Sequence, residues 1–326
     1  MKQEIGGYFE LELTKQPFPF PHQDGRLVNS GRNALMLILK HLCPSRIYVP
    51  YYTCNSVLEP LLQLNIPYTF YSVTKELEIT GHIDLQEKEY LLYTNYFGVR
   101  EGYIRNKLIP VYSGKLILDN SQSLFSPVYP DIPSFFSPRK FVGIPDGGIA
   151  CCENLASISG YPEAVSTNHF SHLIKRIESG AGAGYEEFQA SNWLLSGRPL
   201  EKMSKLTNSL LASVDFESIK EKRIKNYRIL QKELESHNEL TVFNSGEEIP
   251  MVYPFLHQGN KGLREVLIKK NVFIARYWPN VMIWCKDTDT EYYLCENLLP
   301  LPLDQRYGVE EMNFVLSIIK SYYGIR

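Results

Sequence analysis

The sequence predicts an α/β fold: a large lobe built on an open, mostly parallel sheet covered by helices, followed by a smaller α+β lobe. Short β-branched or aromatic runs alternate with helical stretches over about the first 150 residues, the pattern that winds a sheet between two helical layers. The shortest of these runs are apolar on both faces, as strands buried from both sides must be. Past about residue 215 the regular alternation breaks down. We therefore expect a large lobe over residues 1–215 and a small one over 216–326. With 326 residues, 44% of them hydrophobic and 21% charged, the chain has enough apolar material for both lobes.

Taken in order, residues 1–28 carry Gly6-Gly7-Tyr8-Phe9 and Phe18-Pro19-Phe20-Pro21, and predict an irregular lead-in that lies over other surfaces. Asn29 to Asn33 then open an apolar helix from Ala34 to about Leu42, with Ser30 as its N-cap. Strands are expected at Arg46–Pro50, Pro67–Val73, Glu89–Gly98, Lys115–Asp119 and Ser134–Ser137, with a helix over Cys54–Asn65 disturbed by Pro60. Gly147 to Cys152 reads as a further strand, reversing away from the preceding loop. The run Ser179–Gly184, SGAGAG, reads as a loop or lid. Asp215 caps an amphipathic helix to about His237. Strands at Leu240–Phe243, Met251–Leu256 and Val272–Trp278 follow, with helices at Gly262–Lys270, Tyr292–Leu299 and Val309–Tyr323.

Several classes of function are disfavoured. A net charge of −2 offers no general field for nucleic acid or an anionic membrane. The basic run Lys220–Arg228 alternates with apolar residues and reads as a solvated helix face. The longest wholly apolar run, Ala34–Leu39, has six residues, far below the length that spans a bilayer. The N-terminus is acidic and alternating, unlike a signal peptide. The six cysteines show neither CxxC pairing nor zinc-ligand spacing, so no metal site is expected and a reducing cytoplasm is.

Chemistry concentrates in a few places. Lys140 lies in SFFSPRKFVGIPDGG (Ser134–Gly148), among aromatic, apolar and turn-forming neighbours apart from Arg139. Desolvation lowers a lysine's pKa, and a neutral amine attacks an aldehyde. Asp119 ends an apolar strand with Gln122 three residues on, which is where open sheets place ligand-binding groups. The helix start at Ser30–Asn33 offers free amides to an anion, and Gly31 lets a ligand approach the backbone. An amine, a carboxylate and an anion cradle match the needs of pyridoxal 5′-phosphate (PLP): the aldehyde, the ring nitrogen and the phosphate.

The order of these parts resembles the DegT-like family of PLP-dependent sugar aminotransferases, of which this chain reads as a divergent member. The resemblance rests on Asn29-Ser30-Gly31-Arg32-Asn33-Ala34-Leu35, Val49-Pro50-Tyr51-Tyr52-Thr53, Asp119-Asn120-Ser121-Gln122, Ser137-Pro138-Arg139-Lys140 with Asp146-Gly147-Gly148, and Leu299 to Leu303. It implies the type I PLP aminotransferase fold and a homodimer with active sites at the interface. It implies Lys140 as the Schiff-base lysine and proton shuttle, Asp119 against the ring nitrogen and Gln122 near the ring hydroxyl. Gly31, Arg32, Asn33 and Ser137 would hold the phosphate, and Cys54 occupies the position that stacks on the ring. Asn95 falls at a pocket-lining position. The implied reaction moves an amino group from an amino acid, glutamate in most relatives, to a nucleotide-linked keto sugar for surface polysaccharide or glycoconjugate synthesis. A PLP enzyme acting on a non-sugar substrate and a catalytically silent scaffold are the alternatives.

The departures from the family pattern are specific. Arg32 replaces a threonine in the phosphate turn, and Cys54 replaces an aromatic residue, with Tyr51 and Tyr52 as alternative stacking candidates. Ser137 stands three residues before the lysine and Ser134 six, where the family has five. The lysine-to-Asp-Gly-Gly spacing is one residue shorter. Near Met203 only Lys202 is available to replace an arginine that reaches the neighbouring subunit's phosphate.

Overall fold

The computed structural model describes residues 5–241 and 248–325. Seven strands form one sheet: β1 Arg26–Val28, β2 Arg46–Pro50, β3 Tyr68–Tyr71, β4 Glu89–Thr94, β5 Leu116–Asn120, β6 Ser134–Phe136 and β7 Gly148–Cys151. Their order is β1-β7-β6-β5-β4-β2-β3. All pair in parallel except β7, which runs antiparallel to both neighbours, so β1 points the same way as β2 to β6. The carboxyl ends of β1, β2, β4, β5 and β6 therefore open on one edge. That edge collects Ser30–Arg32 after β1, Cys54 after β2, Asn95 after β4, Asp119 near the end of β5 and Ser137–Lys140 after β6.

Burial on both faces explains why the strands read as continuous apolar runs. Leu92 of β4, Ile117 of β5 and Phe135 of β6 join one core with Ala34, Leu35, Ile38 and Leu39 of helix α1 (Gly31–Leu42). Their neighbours Leu91 and Tyr93, Leu116 and Leu118, and Phe136 point into a second core. That second core continues into the C-terminal part through Phe216, Leu230, Phe255, Leu299 and Ile319. Both faces of the sheet are thus occupied, as the period-2 geometry of a strand requires.

The C-terminal part packs helices Phe216–Leu234, Asn260–Lys269, Thr290–Asn297 and Val309–Tyr323 around an antiparallel pair, β8 Tyr253–Leu256 and β9 Leu298–Leu301. Asp215 caps the first of these helices, its Oδ1 accepting from Ser218 N at 3.0 Å. Three expectations are corrected here. Val272–Trp278 is not a strand: the carbonyls of Ile274 and Ala275 accept from the buried Arg264 guanidinium instead of a neighbouring strand. The expected helix Tyr292–Leu299 ends at Asn297, because Leu298 onward pairs with β8. Of the expected strand Leu240–Phe243, residues 242–243 lie outside the described residues, and Leu240 and Thr241 are irregular.

Two more corrections concern the N-terminal part. Residues 26–28 belong to the sheet rather than to the irregular lead-in, because β7 gives β1 a pairing edge. The segment Ser179–Gly184 is not an open loop: helix Ser171–Ala183 runs through it with a break at Gly180, whose φ of 83° glycine adopts without strain. Among the described residues no helix is long and apolar enough to cross a membrane. Among the same residues no group of three or more His, Cys, Asp or Glu side chains is placed to hold a metal ion.

Candidate active site

Lys140 and Asp119 come together across the β5–β6 edge. In register, Asp119 pairs with Thr94 on one side and Phe135 on the other, which aims its carboxyl at the ligand edge of the sheet. Asp119 is 4% exposed. Burial pushes its pKa up, while Lys140 and hydrogen bonds from Ser121 oppose the rise. One of these bonds runs from Ser121 N to Asp119 Oδ1 at 2.9 Å. Ser121 also accepts from Lys140: Nζ donates to its Oγ at 3.0 Å. Its hydroxyl thus anchors the lysine while its amide anchors the carboxylate. The sequence contained Ser121 only as part of a longer motif; its contact with Lys140 depends on β6 returning beside β5.

Lys140 keeps solvent contact at this edge. Desolvation lowers its pKa, Asp119 and Cys54 oppose that, and the nearby Arg32 and Arg139 add to it. Water reaching the ammonium screens the shift, so its direction is what the chemistry uses. A depressed pKa leaves more neutral, nucleophilic amine at a given pH. Replacing Asp119 by asparagine removes the charge that favours the ammonium and lowers the Lys140 pKa further. The rate of labelling of Lys140 by an uncharged aldehyde, trapped with borohydride and read by mass spectrometry of its peptide, should then reach half-maximum at lower pH in D119N than in the wild type. A midpoint that stays put or rises would refute the electrostatic pairing.

Gln122 is fully buried, and its Oε1 accepts from Phe97 N at 2.9 Å. That bond orients the amide and leaves Nε2 buried without a partner among the described residues. A buried donor with no acceptor costs roughly 1–3 kcal/mol, so its persistence argues for an acceptor supplied from outside the chain.

The start of α1 is built by close backbone contact. Ser30 accepts from Asn33 N at 3.2 Å through its Oγ, which leaves the amides of Gly31 and Arg32 as the open ones of the first turn. Asn33 is engaged otherwise: its Nδ2 donates to Asn29 Oδ1 at 2.7 Å and to the Pro199 carbonyl at 2.8 Å. Arg32 turns towards Glu59, Nε to Oε2 2.7 Å, so its charge is already balanced. Ser137 lies against Gly31: a Cβ on that glycine would stand 3.6 Å from Ser137 Cβ and 3.9 Å from its Oγ. Gly31 and Ser137 are thus neighbours, while Asn33 is engaged elsewhere and the Arg32 guanidinium is paired with Glu59. Ser134, the other candidate serine, is buried within β6.

The Asp146-Gly147-Gly148 turn presses on this start. Gly147 N donates to the Asn29 carbonyl at 2.9 Å, and Asp146 accepts from Ser204 N at 3.0 Å and Ser204 Oγ at 2.6 Å. Cys54 keeps partial exposure at the site edge, and its Sγ accepts from Ser56 Oγ at 3.0 Å. Neither alternative aromatic residue is free to replace it: Tyr51 stacks on Phe70 with centroids 4.6 Å apart, and the fully buried Tyr52 packs against Tyr96 and Trp278. Asn95 is fully buried and donates to Glu101, Asn120 and Ser126, a polar network behind the site.

Neither a protein-family model nor a curated protein matches the sequence. Solved structures do match along nearly the whole chain. The sugar aminotransferase CalS13 from Micromonospora echinospora superposes with a TM-score of 0.64 at 13% identity, covering 91% of this chain and 86% of that one. A DegT DnrJ EryC1 StrS aminotransferase from Brucella abortus gives 0.62 at 13% identity, covering 92% and 86%. NtdA from Bacillus subtilis, solved with bound cofactor PMP, gives 0.62 at 14% identity, covering 90% and 73%. At these identities the likeness is one of fold, and the chain has the type I aminotransferase fold that the sequence predicts.

Proposed function

We propose that this chain is a PLP-dependent aminotransferase that carries an amino group from an amino acid, with glutamate as the expected donor, to a nucleotide-linked keto sugar. The observation that carries the reading is the Lys140–Ser121–Asp119 constellation on the ligand edge of the sheet, with the buried, unpartnered Gln122 Nε2 beside it. The donor set fits the cofactor: Lys140 for the aldehyde carbon, Asp119 for the ring nitrogen, Gln122 Nε2 for the ring oxygen, and the Gly31 and Arg32 amides with Ser137 for the phosphate. When bound, PLP supplies an electron sink that makes the amino acid's α-proton removable.

The chain's own residues do the rest. Lys140 moves a proton between the donor's α-carbon and the cofactor side of the site, a task suited to an amine whose pKa desolvation lowers. Ser121 holds Nζ in place, and the buried Asp119 offers its carboxyl to the ring nitrogen. The fold of sugar aminotransferases supports a sugar acceptor, and a place in surface polysaccharide or glycoconjugate synthesis follows from that acceptor class.

The reading includes a homodimer. Helices Ser171–Ala183 and Tyr185–Leu194 expose Ile177 (79%), Tyr185 (57%) and Trp193 (77%), an apolar surface that a second copy would cover. It also includes a division into a cofactor lobe, residues 1–215, and a small lobe, 216–326. Six free cysteines agree with a cytoplasmic location.

The test has two stages. Purified protein with added PLP should develop a visible absorption band, and glutamate should discharge it. Nucleotide-linked keto sugars should then restore it with formation of the amino sugar. Absence of any band would reject the cofactor. A band discharged by glutamate but restored only by non-sugar keto compounds would move the acceptor outside the sugars.

A further inference from the structure

We propose that Arg139 supplies, from within one protomer, the positive charge that holds the cofactor's phosphate at the start of α1. The proposal rests on the PLP reading above and adds a residue the sequence treated only as the lysine's neighbour.

Arg139 is half-buried, and it differs from the buried arginines among the described residues in what balances it. Arg100 pairs with Glu78. Arg223 donates to the Pro250 and Met251 carbonyls at 3.2 and 2.8 Å and lies near Asp304. Arg264 donates to three carbonyls, those of Ile274, Ala275 and Leu298. An Nε without a partner is common to all four, so that atom alone says nothing. Arg139 stands apart because its hydrogen-bond partner is a single uncharged one, Asn192 Oδ1, at 2.9 Å from Nη2. The carboxylate with a favourable influence on it is Asp146, which already accepts from Ser204 and Thr207. Arg32, a like charge, acts against it. Burial and Arg32 together push the Arg139 pKa down to about 10.

A guanidinium held among protein atoms beside a second arginine, with an amide oxygen as its acceptor, is short of an anion. The position identifies which anion. Ser137, two residues earlier, lies beside Gly31, and Gly147 and Gly148 lie against Asn29 and Ser30, so the chain on both sides of Arg139 runs along the α1 start. Arg32 is balanced by Glu59 and contributes its amide there, which leaves Arg139 as the guanidinium available to a dianionic phosphate.

The experiment titrates PLP, and separately pyridoxal, which keeps the ring and aldehyde without the phosphate, by visible absorbance into wild type, Arg139→Gln, Arg139→Lys and Asn192→Ala. Thermal midpoints with inorganic phosphate are measured on the same proteins without cofactor. Arg139→Gln should weaken PLP by about tenfold to hundredfold, the range of lost hydrogen bonds to a charged group, and leave pyridoxal nearly unchanged. Arg139→Lys should fall between, and Asn192→Ala should show a smaller loss confined to PLP; should Arg139→Gln fail to fold, Asn192→Ala and Arg139→Lys decide. PLP affinity equal to wild type, or equal losses for PLP and pyridoxal, would overturn the proposal while leaving PLP as the cofactor. If the wild type forms no band with PLP, the cofactor reading fails. In that case a phosphate-dependent rise in the midpoint that Arg139→Gln abolishes supports an anion site at Arg139, and its absence overturns one.

Discussion

Lys140→Ala should leave a folded protein without the visible band and with amino transfer reduced by about 10⁴-fold or more, because nucleophile and proton carrier are lost together. The residue keeps solvent contact, so its truncation costs little stability. Circular dichroism and thermal unfolding should therefore match the wild type while activity disappears. Lys140→Arg sharpens the test, since it preserves charge but offers no neutral amine at any accessible pH. Ser121→Ala, which removes the acceptor 3.0 Å from Nζ, should reduce activity far less, because the amine remains. Transfer at the wild-type rate by Lys140→Ala would end the proposed chemistry.

What the sequence made legible follows from what short-range physics controls. The β4 and β5 strands were readable because Leu91-Leu92-Tyr93 and Leu116-Ile117-Leu118 must be buried on both sides, and no helix of that length would serve. Asp119 and Lys140 were readable because polar groups placed directly after such runs fall on the ligand edge of a parallel sheet. Ser121 was not, because its contact with Lys140 arises only when β6 lies next to β5. The C-terminal part was less legible. Val272–Trp278 has strand-like residues, yet Arg264 reaches it from a helix and takes two of its carbonyls. Tertiary context overrode a local preference there. Gly180 misled in the opposite direction: glycines that suggested an open loop instead break one helix briefly and let the next begin. At the phosphate turn the motif named the right place but not the right atoms. Ser30 caps Asn33 and Glu59 neutralises Arg32, and neither partnership is visible in the spacing of residues 29–33.

Gly148→Ala is the substitution with the largest expected structural effect. A Cβ at position 148 would lie 2.2 Å from both the carbonyl carbon and oxygen of Ser30 and 2.6 Å from Gly31 N. These are backbone atoms at a helix start, so no side chain can swing aside to make room. Either β7 moves away from β1 and β6, or α1 moves away from the sheet, and its Ala34, Leu35 and Ile38 leave the core with it. We expect a loss of about 3 kcal/mol or more in unfolding free energy, the upper range for overpacking against a rigid neighbour. Urea denaturation measures it. Gly160→Ala is the matched control, since a Cβ there meets nothing within 4 Å, and it should change stability little. Because the displaced atoms include the Gly31 amide, any Gly148→Ala protein that folds should also bind inorganic phosphate and PLP more weakly than the control. A Gly148→Ala protein with the stability and anion affinity of Gly160→Ala would mean that the close approach of β7 to α1 does not build the cradle.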